Sequence, residues 1–493
     1  MTSVTFPSRL GFQGRLVVLA LALACASPNT AFAWDAATTH AGMTKRALAA
    51  SRFHAVLAHQ LGRPLGILEP LRLDLGTLDP DTARLLKDRL ALLDPAGGYR
   101  PSADDVATSG AWVEAGAVLS MTPPERVRNH FFNPGTGRGL DDGPGLSGTV
   151  HAVRLVLDEG GATVRDAATG QAFSLDGMSA LAWIEARQND QGLIAFLDGL
   201  ERSVSAGQPR ERETALVRSL LALGGMVAVL EDAGQPAFVR NDFRGEFLAQ
   251  GAGSAFERYV ADRYGAVALP PAAHAMARPD LASFFAASDG KGLAQTTQQR
   301  FFSPGTLPDD FDIGAGDTSA VADSLANQSL KFPLPKVAGV DVAASGRTRY
   351  VKQDGRRVLA YQRNGNRLHF FLDQTVYADT ARQWLPEVEA YAAGMVDYLL
   401  RGKVEIAVAD HSATFTVAGL SGALETGAAL HVFSERADGS RQEIAVRPLA
   451  TGASVVVDVP HDAKKLAAFV RSRDGGGPLF AVGEKSLVVI AAD

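Results

Sequence analysis

The sequence predicts a mainly α-helical domain over residues 34–402, followed by a small all-β, sandwich-like domain over 403–493. Residues 220–230 form a continuous apolar run, which is typical of a buried helix surrounded by other helices. Beyond residue 402, short runs of β-branched and aromatic residues alternate with turn residues, which favours an antiparallel sandwich.

The first 33 residues have the features of a signal peptide. Two arginines precede an apolar run over 16–26, and a small-x-small cleavage site, Ala-Phe-Ala, occupies 31–33. The run is too short to cross a bilayer. We therefore expect an exported protein whose mature chain begins at Trp34. Processing as a lipoprotein at Cys25 is an alternative, and Cys25 is the only cysteine, so the mature chain forms no disulfide.

The charge balance and the absence of common motifs narrow the classes of function. The formal net charge is −6, which predicts no strong attraction to nucleic acid. The mature chain has no stretch that we expect to span a membrane, so we expect a soluble protein in the periplasm, on the cell surface or in the medium. It has no Walker-type phosphate loop and no G-x-S-x-G nucleophile motif.

The segment over 221–242, LALGGMVAVLEDAGQPAFVRND, contains a carboxylate at the inner end of a buried helix, where it needs a partner. The segment resembles the central helix of the zinc-dependent phospholipase C superfamily, which includes zinc-dependent single-strand nucleases. In that family the helix carries His-x-x-x-Asp, two residues on one face that bind one metal, and a second His follows the proline. Asp232 matches the aspartate, whereas Ala228 and Phe238 stand at the two histidine positions.

The segment over 34–50, WDAATTHAGMTKRALAA, resembles the mature N-terminus of the same family. There the first residue is a tryptophan whose amine and carbonyl bind a metal together with a nearby histidine. The resemblance assigns these roles to Trp34 and His40; without it, they would be a packed aromatic residue and an ordinary helix residue. We interpret His54 and His59 as ordinary, partly buried residues.

The segment RNHFFNP, over 128–134, resembles the family's Asn-His-Phe ligand segment and makes His130 a candidate ligand. In the family an acidic ligand precedes this histidine. The alignment that we favour places Met121 at that position, and a thioether is a poor ligand for zinc. A second alignment offers Glu114 instead.

A further part of the resemblance lies after residue 242, where the family carries His-x-x-x-Glu on the next helix. The segment over 253–265, GSAFERYVADRYG, makes Glu257 the candidate acidic ligand, with Gly253 at the histidine position. Without the resemblance, Glu257 would be a solvated helix carboxylate. A β-hairpin inserted between helices is predicted near 149–175.

The resemblance implies a phospholipase C/nuclease-like fold and a three-zinc cluster that activates water to attack a phosphodiester. The candidate ligands that remain are Trp34, His40, Asp232, His130 and Glu257, with Glu114 as the alternative. We therefore expect one residual zinc ion, held by the first three, rather than the full cluster. Little or no phosphodiesterase activity should follow.

Two other functions stay open from the sequence. One is an active zinc-dependent phosphoric ester hydrolase, acting on a phospholipid or another phosphodiester through ligands rebuilt elsewhere. The other is an exported binding or assembly protein that acts through the β domain, for which the sequence specifies no partner. The histidines of that domain, His411, His431 and His461, are not spaced as metal ligands.

Overall fold

The structure, a computed structural model, describes residues 36–90, 106–121, 124–140, 163–165, 172–174, 177–242, 254–265, 274–312 and 341–487. Helices predominate up to Leu399, and strands follow from Gly402, which confirms the predicted mainly α region followed by an all-β region. The predicted signal peptide, Trp34 and Gly253 lie outside the described residues.

The α-helices of the described residues are α1 Ala41–Ala50, α2 Phe53–His59, α3 Pro80–Leu90, α4 Ser109–Leu119, α5 Ala180–Glu185, α6 Leu193–Ser205, α7 Pro209–Asp232, α8 Pro236–Val239, α9 Ala255–Arg263, α10 Leu281–Phe285, α11 Leu293–Arg300 and α12 Gln374–Leu399. A π-helical turn over Ala36–His40 precedes α1, and a 3-10 turn over Pro124–Asn129 follows α4.

The strands are β1 Pro70–Arg72, β2 Val106–Thr108, β3 Thr163–Arg165, β4 Ala172–Ser174, β5 Phe311–Asp312, β6 Asp341–Ser345, β7 Thr348–Gln353, β8 Arg356–Asn364, β9 Arg367–Phe371, β10 Gly402–Ala409, β11 Ser412–Ala418, β12 Ala429–Glu435, β13 Arg441–Pro448, β14 Ser454–Asp458, β15 Lys465–Asp474 and β16 Gly477–Ser486. Strands β3 and β4 pair antiparallel within the range of the predicted hairpin.

Helix α7 is the central helix of the molecule, and its C-terminal half is buried on every side. Helix α4 packs closely against it at two glycines. A Cβ atom at Gly116 would overlap the carbonyl of Leu221, and one at Gly224 would overlap the carbonyl of Val113. Among the described helices, α7 alone has the length and hydropathy of a membrane span, contrary to our sequence expectation. Most of its apolar stretch is buried inside the molecule, as in a core helix.

The chain between α11 and α12 forms a five-stranded antiparallel sheet of order β5-β9-β8-β7-β6, which was not predicted from the sequence. Its hairpins turn at Gly346, Gly355 and Gly365, each with a positive φ that favours glycine. Helix α12 packs against β8 of this sheet. The first 400 residues are therefore less purely helical than the apolar spacing predicted.

The C-terminal strands form a seven-stranded sheet of order β13-β12-β15-β16-β10-β11-β14. Strand β15 is buried on both faces because alternate residues belong to different cores. Leu466 and Val470 join the core of the β domain itself. Ala467 and Phe469 join the main core of the helical region instead. The sheet therefore covers one side of the helical region with an apolar face.

Candidate metal centre

Three of the predicted ligands meet at the C-terminal end of α7. The Oδ2 atom of Asp232 lies 2.6 Å from Nδ1 of His130, and its Oδ1 atom lies 3.2 Å from Nε2 of His40. His40 ends the turn before α1, and His130 follows the 3-10 turn after α4. All three side chains are completely buried. The fold thus brings together residues that are far apart in the sequence.

A fourth buried residue, Glu231, orients the ring of His40, a role that was not predicted from the sequence. Its Oε2 atom lies 2.6 Å from Nδ1 of His40, and its Oε1 atom accepts a hydrogen bond of 3.0 Å from the Thr44 hydroxyl. A proton on Nδ1 that is donated to Glu231 leaves the lone pair of Nε2 facing Asp232. A carboxylate bound to the far nitrogen of a histidine is the usual support of a metal-binding imidazole.

The charges of this cluster are coupled when no metal is bound. Burial opposes a charge on His40, but the negative charge of Asp232 and the hydrogen bonds to Asp232 and Glu231 raise its pKa to about 10. Burial raises the pKa of Glu231 to about 7. For Asp232, burial is outweighed by its interactions with His40 and His130, so its pKa is lowered. In that state His40 is a cation between two acidic side chains.

The donor atoms of His40 and Asp232 fit a zinc ion. Apart from their contact with each other, Nε2 of His40 and Oδ1 of Asp232 are buried without a hydrogen-bond partner in the described structure. Two ligands at about 2.0–2.1 Å from a tetrahedral zinc lie roughly 3.3 Å apart, close to the 3.2 Å found here. The described residues contain no group of three or more His, Cys, Asp or Glu side chains arranged for a metal. Further ligands would have to come from elsewhere, as predicted for Trp34.

The remaining acidic candidates take other positions. Glu257 is buried rather than solvated. Its Oε1 atom accepts a hydrogen bond of 2.5 Å from Nε2 of Gln235, and its Oε2 atom accepts one from the backbone N–H of Ser254. Together with the Ser254 hydroxyl this forms a capping box at the start of α9. Glu114 is half-buried on α4.

Apolar side chains fill the positions at which the resemblance marks ligands as lost. Met121, Ala228 and Phe238 are completely buried. The ring of Phe238 stacks on that of Phe131, with 4.3 Å between centroids and 23° between planes. Phe131 directly follows His130, so this apolar packing lies beside the candidate metal centre.

Comparison with known proteins assigns this chain to no family. No protein-family model matches the chain, and no curated protein matches it. The alpha toxin of Clostridium absonum is 10% identical, with 92% of this chain and 95% of the toxin covered, at a TM-score of 0.29. The alpha toxin of an avian strain of Clostridium perfringens is 10% identical, with coverages of 92% and 98% and a TM-score of 0.28. Superpositions at this level support no conclusion about family, activity or metal content.

The chemistry available to this centre therefore follows from its own atoms. One nitrogen and one carboxylate oxygen face each other inside the protein, and a second carboxylate fixes the nitrogen's orientation. Such a pair binds either a proton or a metal cation. Glu231 was recognisable in the sequence, because a buried glutamate needs a partner as much as the aspartate that follows it.

Proposed function

We propose that this chain is an exported protein whose scaffold resembles that of the zinc-dependent phospholipase C superfamily. The chain binds one zinc ion and has little or no phosphodiesterase activity. The observation that carries the proposal is the facing pair of His40 Nε2 and Asp232 Oδ1, 3.2 Å apart and without other hydrogen-bond partners. The predicted signal peptide supports export.

The proposed ligands are His40, Asp232, and the amine and carbonyl of Trp34 that the sequence resemblance supplies. When bound, the zinc ion would connect the mature N-terminus to the end of α7 and offset the negative charge of Asp232. Glu231 holds the His40 ring for this purpose through its contact with Nδ1. The role of this metal is structural.

Two features argue against hydrolysis at this centre. A catalytic zinc keeps an open position for water or substrate, whereas His40, Asp232 and His130 are completely buried. The ligands that would hold further zinc ions are replaced by the buried side chains of Met121, Ala228 and Phe238. A metal that lacks several ligands binds weakly.

The zinc content of the mature protein tests this proposal. The chain beginning at Trp34 is purified without added metal, and its zinc content is measured by elemental mass spectrometry. We expect one zinc per chain, lost in His40→Ala and in Asp232→Ala and retained in the control His59→Ala, whose side chain is exposed. No zinc, or two or three zinc ions, in the unaltered protein would overturn the proposal.

Hydrolysis is measured on the same preparations with p-nitrophenyl phosphorylcholine and with phosphatidylcholine vesicles. We expect no release of product above that of the Asp232→Ala variant. Activity that depends on Asp232 would instead establish the alternative, an active phosphoric ester hydrolase with rebuilt ligands.

A further inference from the structure

Two exposed histidines of the β domain lie against each other although fifty positions separate them in the sequence. His411 lies in the turn between β10 and β11, and His461 lies in the connection between β14 and β15. Their rings meet edge to face, with 4.9 Å between centroids and 68° between planes. Neither ring has a hydrogen-bond or ion-pair partner among the described residues. The sequence spacing gave no sign of this pair.

The backbone that carries His411 is anchored beside that of His461. The carbonyl of His411 accepts a hydrogen bond of 2.7 Å from the backbone N–H of Val459. The next residue, Ser412, pairs with Asp458 in the antiparallel ladder of β11 and β14. The two histidines are therefore held at neighbouring strand ends.

The connection that carries His461 is fixed at its other end as well. The backbone N–H of Lys464 donates to the carbonyl of Glu435 at 2.7 Å. Nε of Arg436 donates to Oδ2 of Asp462 at 2.9 Å. The segment that carries His461 is therefore attached to the backbone of His411 through Val459 and to the end of β12 at its other end. Rotation of the exposed rings is enough to direct both toward one ion.

The separation of the two rings suits a shared metal ion. An imidazole nitrogen at about 2.0–2.1 Å from a metal places the ring centroid roughly 3.2 Å from it. Two such rings at angles between square-planar and tetrahedral have centroids about 4.5–5.2 Å apart, and the observed separation is 4.9 Å. We propose that His411 and His461 form a surface site for a late first-row divalent cation, such as Cu²⁺, Ni²⁺ or Zn²⁺.

The ligand type selects the class of cation. Imidazole nitrogen binds Zn²⁺, Cu²⁺ and Ni²⁺, whereas Ca²⁺ and Mg²⁺ take oxygen ligands. With two protein ligands, the other coordination positions stay open to water or to groups of another molecule. The site is distinct from the buried pair of His40 and Asp232, whose donors face the interior of the helical region.

The third histidine of the domain, His431, offers a matched control. Its Nδ1 atom lies 2.8 Å from Oε1 of Glu443, and its ring stacks on Phe469 at 4.8 Å between centroids. His431→Ala therefore removes a partly exposed histidine of the same domain without touching the pair.

Calorimetric titration of the mature protein with Ni²⁺, after purification with its own metal in place, tests the proposal. We expect one additional cation per chain, with an affinity at least tenfold lower in His411→Ala and in His461→Ala, and unchanged in His431→Ala. Electron paramagnetic resonance of the Cu²⁺-loaded protein should show nitrogen ligands that disappear in the His411→Ala/His461→Ala double variant. Circular dichroism verifies that each variant is folded.

Absence of an additional Ni²⁺ ion would overturn the proposal, as would binding that survives either single substitution. Neither outcome bears on the zinc content of the protein as purified.

Discussion

Nε2 of His40 and Oδ1 of Asp232 face each other at 3.2 Å in the protein interior. Because Nδ1 of the same ring contacts Glu231 at 2.6 Å, the arrangement holds either an imidazolium ion between two acidic groups or a metal ion between a neutral ring and a carboxylate. Both states satisfy a buried carboxylate that would otherwise be costly. Zinc binding requires the charge of Glu231 to hold the proton on Nδ1 of His40, and the zinc affinity of a Glu231 variant measures this requirement.

The substitution Glu231→Gln should weaken zinc binding by about 10–100-fold, the usual effect of altering a group that supports a metal ligand. Glutamine keeps the size of the side chain but loses the charge that holds the proton on Nδ1 of His40. Competition with a chelator measures the affinity. Thr44→Val, which removes only the hydrogen bond to Oε1 of Glu231, should have the smaller effect. Equal affinity in Glu231→Gln and the unaltered protein would show that Glu231 does not support a metal ligand.

Placing a methionine before Trp34 should reduce zinc binding. The extension converts the proposed amine ligand into a peptide nitrogen, which is a poor metal ligand, while all side chains stay the same. Zinc content is compared between the extended chain and the chain that begins at Trp34. If both retain one zinc, the Trp34 amine is not a ligand, and the additional donors must come from another segment.

The substitution Phe238→Ala should destabilise the protein by about 3–5 kcal/mol, because it leaves a cavity and removes the stacking on Phe131. Denaturant unfolding followed by circular dichroism measures the change. Leu68→Ala, at a side chain that is 66% exposed, should change stability by about 0.5 kcal/mol or less. A loss at Phe238 no larger than that at Leu68 would mean that Phe238 does not serve as core packing.

The family resemblance predicted that His40 and Asp232 share one site, although no local pattern connects them, whereas it placed His130 in a different zinc site. Glu231 was missed because the resemblance gives that position no role. His411 and His461 were missed for a different reason. Their contact depends on the order of the strands in the sheet, and the spacing of residues along the chain does not reveal that order.

The sheet over 341–371 was missed although its signals were present. Short β-prone runs are separated there by glycines at 346, 355 and 365, a pattern that predicts hairpins. The stretch was included in the predicted helical domain over 34–402, and no separate element was predicted there. The helical region was easier to predict, since the apolar run of α7 leaves few alternatives to a buried helix.

The substitution Arg441→Ala should destabilise the junction between the helical region and the β domain. The Arg441 side chain is 2% exposed; its Nη2 atom lies 2.6 Å from Glu435 and 2.9 Å from Glu484, and its Nη1 atom donates to the carbonyl of Val204. Breaking a buried ion pair costs about 3–5 kcal/mol. Arg212 and Lys465 still pair with the two carboxylates after the substitution, so we expect a loss at or below the lower end of that range.

Arg84→Ala serves as the control for Arg441→Ala. Its ion pair with Asp81 is exposed on α3, so about 0–1 kcal/mol should be lost. Denaturant unfolding compares the two variants. Equal losses would contradict a stabilising role for the buried network at the junction.

Ending the chain after Arg401 should leave a helical region that aggregates. The β domain buries Phe433, Phe469 and Phe480 in the same core as the helices, so the truncation uncovers the apolar surface they contact. It also removes the hydrogen bond from the Tyr398 hydroxyl to the carbonyl of Gly476. Light scattering and binding of an apolar dye measure the outcome. A truncated chain that is monomeric, binds no dye and unfolds at the same temperature as the full chain would show that the β domain is an independent module rather than a cover for the helical core.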